Sequence, residues 1–189
     1  KNFMKKIYLF GGGGHALSCI DAIESEKKFK ILGIIDKNLK LNKKISNYPI
    51  VKKFKKNVYG LVSVGQIKTP KTRIKIFNEI KNQGLKPAVI VSAFSTVSKN
   101  VKIGEGTIVM HGAIINSKAR IGKNCIINTG CIIEHEVLIE DHCHIAPGTI
   151  LNGGVVVKSG SFVGSGSVIR QNLIIKKNSV LPMGSVIKK

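Results

Sequence analysis

The chain is 189 residues long and carries a formal net charge of +21 at pH 7, enough sequence for one ordinary domain or two small ones. Its four cysteines make no disulfide framework, no apolar run reaches membrane-spanning length, and Lys5-Lys6 with Ile7–Phe10 meets glycines too soon for a signal peptide, so a reduced, cytoplasmic protein with no membrane role is expected. Scattered lysines, no Trp and no aromatic-rich binding motif argue against nucleic acid, and the basic surface suits phosphate-bearing small molecules better.

Residues 1–3 precede Met4 and read either as an expression remnant or as native sequence before an internal methionine. The first apolar strand is Lys6–Phe10. Gly11-Gly12-Gly13-Gly14-His15 follows, then a helical pattern through Ala16, Cys19, Ile20 and Ile23. A second strand, Ile31–Ile35, ends at Asp36, and a third, Val58–Val64, ends at Gly65. A helix with Ile74, Phe77 and Ile80 comes next, and Ala88–Val91 supplies a last strand. Alternating strands and helices predict a small parallel α/β sheet over residues 1–92.

Gly11, Gly13 and Ala16 match G-x-G-x-x-[GA], with Asp36 twenty residues beyond Ala16. The region is too short to hold both mononucleotide halves of a dinucleotide site, and the loop lacks the Lys-Ser/Thr of a P-loop. A glycine turn opening a helix still offers backbone N–H groups and a positive dipole end to a phosphate. The loop therefore reads as a site for the diphosphate of a nucleotide sugar, the alternative being a tight turn with no ligand.

From Val97 to Ile187 the pattern changes. Sixteen aliphatic residues recur at every sixth position without a break. Three positions after most of them stands Gly or Asn, as at Gly106, Asn124 and Gly130, and one position later a compact residue, as at Ala113, Cys125 and Thr149. Gly and Asn accept positive φ cheaply, so each hexad reads as a short strand and a sharp turn. A chain in register with itself at so short a period is a solenoid. The composition shift agrees: residues 1–92 carry 20 Lys+Arg against 5 Asp+Glu, and residues 93–189 carry 11 against 5.

Three histidines, His135, His142 and His144, gather near Glu134, Glu136, Glu140 and Asp141. No metal site is expected, because Ile139 replaces the second His of an H-E-x-x-H string and Cys143 falls in the inward slot. His135 has no packing role and has carboxylates on both sides, which suits a general base whose tautomer a neighbouring carboxylate fixes. Gly153 lies eighteen residues on, one coil further along the same edge, where its N–H can meet an oxyanion.

Asn128-Thr129-Gly130-Cys131-Ile132-Ile133-Glu134-His135-Glu136, the following His144-Ile145-Ala146-Pro147-Gly148 and the N-terminal GGGGH loop are similar to the bacterial hexapeptide-repeat family of sialic acid O-acetyltransferases and UDP-4-amino-sugar N-acetyltransferases. The resemblance implies an α/β Rossmann-like subdomain followed by a left-handed parallel β-helix of about five coils, assembled as a homotrimer. It implies His135 as catalytic base with Glu136 as its polarising partner. It places Asn128, His144 and Gly153 at the acetyl-coenzyme A and acceptor site, and Gly13, Gly14, His15, Asp36 and Gly65 at the nucleotide sugar. One departure stands out: family members usually continue into a Gly-x-Pro-Ala-Lys tail that helps hold coenzyme A, whereas this sequence reads Ile187-Lys188-Lys189, so no tail residues are carried over. The activity expected is N-acetylation of the 4-amino group of a UDP-linked 4-amino-4,6-dideoxy sugar for surface glycans or glycoproteins. Its rivals are O-acetylation of a sialic-acid-type sugar and a non-catalytic β-helix scaffold.

Overall fold

The structure, a computed structural model, describes residues 4–41 and 43–189. The reading of residues 1–3 lies outside the described residues. Strands β1 (Lys5–Phe10), β2 (Phe29–Ile35), β5 (Tyr59–Val62) and β6 (Lys86–Pro87) form a parallel sheet in the order β2-β1-β5-β6. Helix α1 (Gly14–Glu26) follows the glycine loop and α2 (Lys71–Asn82) precedes β6. A short antiparallel pair, β3 (Lys44–Ile45) and β4 (Tyr48–Pro49), went unanticipated, being two-residue strands around a turn with no hydrophobic period to announce them.

The expected last strand, Ala88–Val91, divides differently. Lys86–Pro87 completes the sheet, and Ile90–Val91 pairs in parallel with Ile108–Val109 of the repeat. Val91 stands six positions before Val97, so the hexad register reaches one step further back than the run of sixteen.

From Ile90 onward the chain winds as a three-faced prism whose sheets hold six, six and five parallel two-residue strands. Residues eighteen apart pair, as Ile114 with Ile132 and Ile132 with Ile150. Coil-to-coil bonds continue round the corners, for example Ile114 N to the Cys131 carbonyl at 2.8 Å and Gly130 N to the His111 carbonyl at 3.0 Å. The second residue of each strand points inward, so Ile115, Ile121, Ile127, Ile133, Ile139 and Ile145 fill the prism. The compact slots are buried beside them, and those of Cys125, Cys131 and Cys143 hold free thiols. Burying each such aliphatic contributes about 1.5–3 kcal/mol, which only stacked coils can realise.

From Gly106 to Gly184, every corner turns through one left-handed residue. Gly106, Gly112, Asn124, Gly130 and Gly148 fill this position at positive φ, as do Lys118, Glu136 and His142. The outward residues differ from face to face. Ile90, Ile108 and Ile126 are covered by the N-terminal sheet and α1 in one core. The face of Ile114, Ile132, Ile150, Val168 and Val186 carries an aliphatic row without such a cover.

Candidate active site

His135 and Glu136 occupy the corner between the strands Ile132–Ile133 and Leu138–Ile139, and both side chains are exposed, at 64% and 56%. Nδ1 of His135 stands 3.5 Å from a Glu136 carboxylate oxygen. The ring lies over Gly153: a Cβ built there comes 2.7 Å from Nε2 and 2.6 Å from Cε1. Only glycine leaves room for the ring, and the Gly153 N–H has no acceptor among the described residues. A pocket of about 370 Å³ at this corner is lined by His135, Glu136, Asn152, Gly153 and Asn172.

Two of the other carboxylates are engaged elsewhere. Glu140 takes hydrogen bonds from Lys158 Nζ at 2.8 Å and from the Ser159 amide and hydroxyl, and these hold its carboxyl down to about 2. Asp141 accepts from the Lys123 amide. Glu134 lines the same pocket as His135, but among the described residues only the Glu136 carboxylate comes within 4 Å of a His135 ring nitrogen. No group of three or more His, Cys, Asp and Glu side chains is gathered to hold a metal among the described residues.

At the strand ends of the N-terminal sheet, α1 begins at Gly14 with Gly13 before it, no side-chain cap and no acidic residue in the first turn. Its first N–H groups are therefore open to an anion, and a Cβ on Gly13 or Gly14 would meet nothing within 4 Å. Asp36 braces this loop, accepting from Gly12 N and Asn38 N, each at 2.8 Å. A pocket of about 430 Å³ opens beside it between Gly11, Asp36, Asn38, Val64 and Lys75. The structure thus puts Asp36 on the pocket wall, and Gly13, Gly14 and His15 at the adjoining helix start. Gly65 lies against His15, whose Cβ is 3.9 Å from where a Gly65 Cβ would be.

His144 is 7% exposed and sits where the two halves of the chain meet. Its Nδ1 bonds the Gln66 carbonyl at 2.6 Å and its Nε2 the Asn128 amide at 3.0 Å. Burial lowers it to about 4, and burial beside Arg73 and His144 lowers His15 to about 3, so both rings are neutral at pH 7. His15 Nε2 is buried with no partner among the described residues. In one chain His135 stands at a different prism corner from Asn128 and His144, so the expected site residues fall into two groups.

The N-terminal half matches the PglD N-terminal domain over residues 6–80, and the repeat matches the bacterial transferase hexapeptide over residues 118–153. The chain is an acyltransferase built on hexapeptide repeats. No curated protein matches it by sequence. Among solved structures, a histidine-to-asparagine mutant of perosamine N-acetyltransferase from Caulobacter crescentus, in complex with CoA and GDP-perosamine, superposes with a TM-score of 0.90 at 25% identity, over 99% of this chain and 90% of that one. The acetyltransferase domain of PglB from Neisseria gonorrhoeae FA1090 gives 0.90 at 22%, over 97% and 91%. WeeI from Acinetobacter baumannii AYE gives 0.86 at 22%, over 97% and 92%. The Rossmann-like subdomain followed by a left-handed parallel β-helix is therefore the architecture of this acyltransferase.

Sequence reading missed Gln66, Arg73 and Asn124, the polar groups that join the two halves of the acyltransferase. Arg73 had a visible signal: it precedes Phe77 and Ile80 by four and seven positions, on the apolar stripe of α2. A cation on that stripe has to find partners inside the molecule. Gln66 had none, because its partners lie 76 to 95 residues away.

Proposed function

We propose that the protein transfers an acetyl group from acetyl-coenzyme A to the 4-amino group of a nucleotide-linked 4-amino-4,6-dideoxy sugar, in bacterial surface-glycan or glycoprotein biosynthesis. The observation that carries this reading is the His135 ring lying on Gly153 beside the Glu136 carboxylate. The likeness to a perosamine N-acetyltransferase in complex with CoA and GDP-perosamine supports the class of acceptor. UDP is our first expectation for the nucleotide, and the cytoplasm for the compartment.

In this mechanism the sugar amine attacks the thioester carbonyl carbon while His135 Nε2 removes its proton. Glu136 beside Nδ1 stabilises the imidazolium that forms. The tetrahedral oxyanion takes a hydrogen bond from the Gly153 N–H. The C–S bond then breaks and coenzyme A leaves as a thiolate, which recovers the proton. Asn128 and His144 line the acetyl-coenzyme A and acceptor side, and no metal is required. Residues 1–92, through Gly13, Gly14, His15, Asp36 and Gly65, hold the nucleotide sugar, and residues 93–189 carry out the transfer.

A homotrimer explains how the two groups meet. The aliphatic row Ile114, Ile132, Ile150, Val168 and Val186 runs the length of one face, with Ile114 and Val186 exposed at 38% and 58%. Such a continuous apolar face calls for a partner, and the copy that covers it brings its own corner and seam residues to a shared cleft. The test is mass-spectrometric screening of UDP- and GDP-linked amino sugars with acetyl-coenzyme A. An N-acetylated nucleotide sugar supports the reading, and acetylation of free sialic acid instead replaces it with O-acetyl transfer.

A further inference from the structure

We propose that Gln66 is a positioning residue: its backbone carbonyl fixes the tautomer of His144 and, through that ring, the direction in which the Asn128 amide points. The proposal rests on the functional reading only for its kinetic consequence.

The Gln66–His144–Asn128 chain is fixed at both ends. A carbonyl oxygen can only accept, so the 2.6 Å contact with Gln66 puts the His144 proton on Nδ1. At the other end the Thr129 amide can only donate, and its 2.8 Å bond identifies the Asn128 atom it meets as Oδ1. The Asn128 Nδ2 must then face His144 Nε2, 3.0 Å away, where the neutral ring accepts. Both ends agree on one arrangement. It leaves the second Nδ2 hydrogen of Asn128 without a protein acceptor among the described residues, as a donor at the half-buried corner beside Thr129.

Gln66 holds its carbonyl there by its side chain. Nε2 is within reach of the carbonyls of His142, Gly160 and Ser161 at 3.1, 3.3 and 3.4 Å, bolting the loop after β5 to two successive coils. Arg73, 1% exposed and with no carboxylate on it among the described residues, secures the same loop from behind. Its Nη1 donates to the carbonyls of Val62 and Val64, and its Nη2 to the carbonyl and Oδ1 of Asn124. Asn124 must then turn its Nδ2 to His142 Nδ1, 3.0 Å away, which places the His142 proton on Nε2. The N-terminal half thus sets opposite tautomers in two histidines of one coil. The loop that does so contains Gly65, next to His15.

The test is ring-nitrogen NMR of the ¹⁵N-histidine-labelled full chain, with kinetics alongside. His144 should show a protonated Nδ1 and a bare Nε2 at pH 7. Gln66→Ala should convert it to a tautomer mixture and lower kcat about tenfold, leaving KM for the nucleotide sugar within about twofold. Asn128→Asp replaces the donor with a carboxylate, so His144 should become doubly protonated near neutral pH whether or not the variant is active. A proton on Nε2 in the parent chain, or a Gln66→Ala spectrum and kcat both unchanged, overturns the proposal. A correct spectrum in a protein that transfers no acetyl group upholds the relay and removes only the enzymatic reading.

Discussion

Two positions at the corner are occupied by residues that the repeat itself does not favour. Glu136 holds φ 61°, at a turn position where Gly would remove the clash of a Cβ with the backbone carbonyl and Asn would tolerate it better. Left-handed backbone costs a branched-chain or long residue about 1–2 kcal/mol. Glu136→Gly should therefore leave the fold intact or raise stability by up to about 1 kcal/mol, while lowering kcat/KM by removing the carboxylate beside His135. Chemical denaturation paired with initial rates checks this, and a variant both less stable and fully active would contradict it. Gly153→Ala makes the converse point. The added methyl would stand 2.6 Å from the ring of His135, which has to swing aside because it is the free end of an exposed side chain. Activity should fall by about 10²-fold or more, within the span of a positioned acid–base group, with Tm within a degree or two of the parent.

At the scale of elements, the prism was legible because its signal is periodic and local. Ile115, Ile121 and Ile127 announce each coil, and Gly106, Gly112 and Gly130 each turn. His135 and Glu136 stood out because nothing in the hexad asks for them. The seam was not legible. The sequence puts His144 only in a cluster of histidines and acids, and its burial shows only once Gln66, Arg73 and Asn124 pair across 51 to 95 residues. Burial has a consequence for stability. His144 and His15 are lowered from 6.5 to about 4 and about 3, so the unfolded chain takes up protons below about pH 6.5 that the folded chain refuses. Stability contributed by the neutral rings is complete above that pH and is lost as pH falls toward those folded values. Melting curves should show Tm falling from pH 7 to pH 4.5, and falling less in His15→Asn. A Tm equal in parent and variant across the interval would count against the buried neutral rings.

The whole molecule is a basic sheet domain joined by a shared apolar core and a polar seam to a prism whose Ile114–Val186 face carries an uncovered aliphatic row. The proposed homotrimer would cover that row, so light scattering should return three times the 20.5 kDa chain. Ile150→Lys, at the middle of the row, should shift the mass toward the single chain and reduce activity together with assembly. A monomer that is fully active would remove the shared cleft. The central claim is that this fold moves an acetyl group to a sugar amine using His135, and one measurement addresses it directly: steady-state acetyl transfer from acetyl-coenzyme A to a UDP- or GDP-linked 4-amino-4,6-dideoxy sugar by the parent and by His135→Ala. The account predicts N-acetylated product from the parent and a loss in kcat/KM of about 10²–10⁴-fold in the variant, with Tm unchanged. Near-parental rates in His135→Ala, or no transfer to any nucleotide-linked amino sugar by the parent, would contradict it.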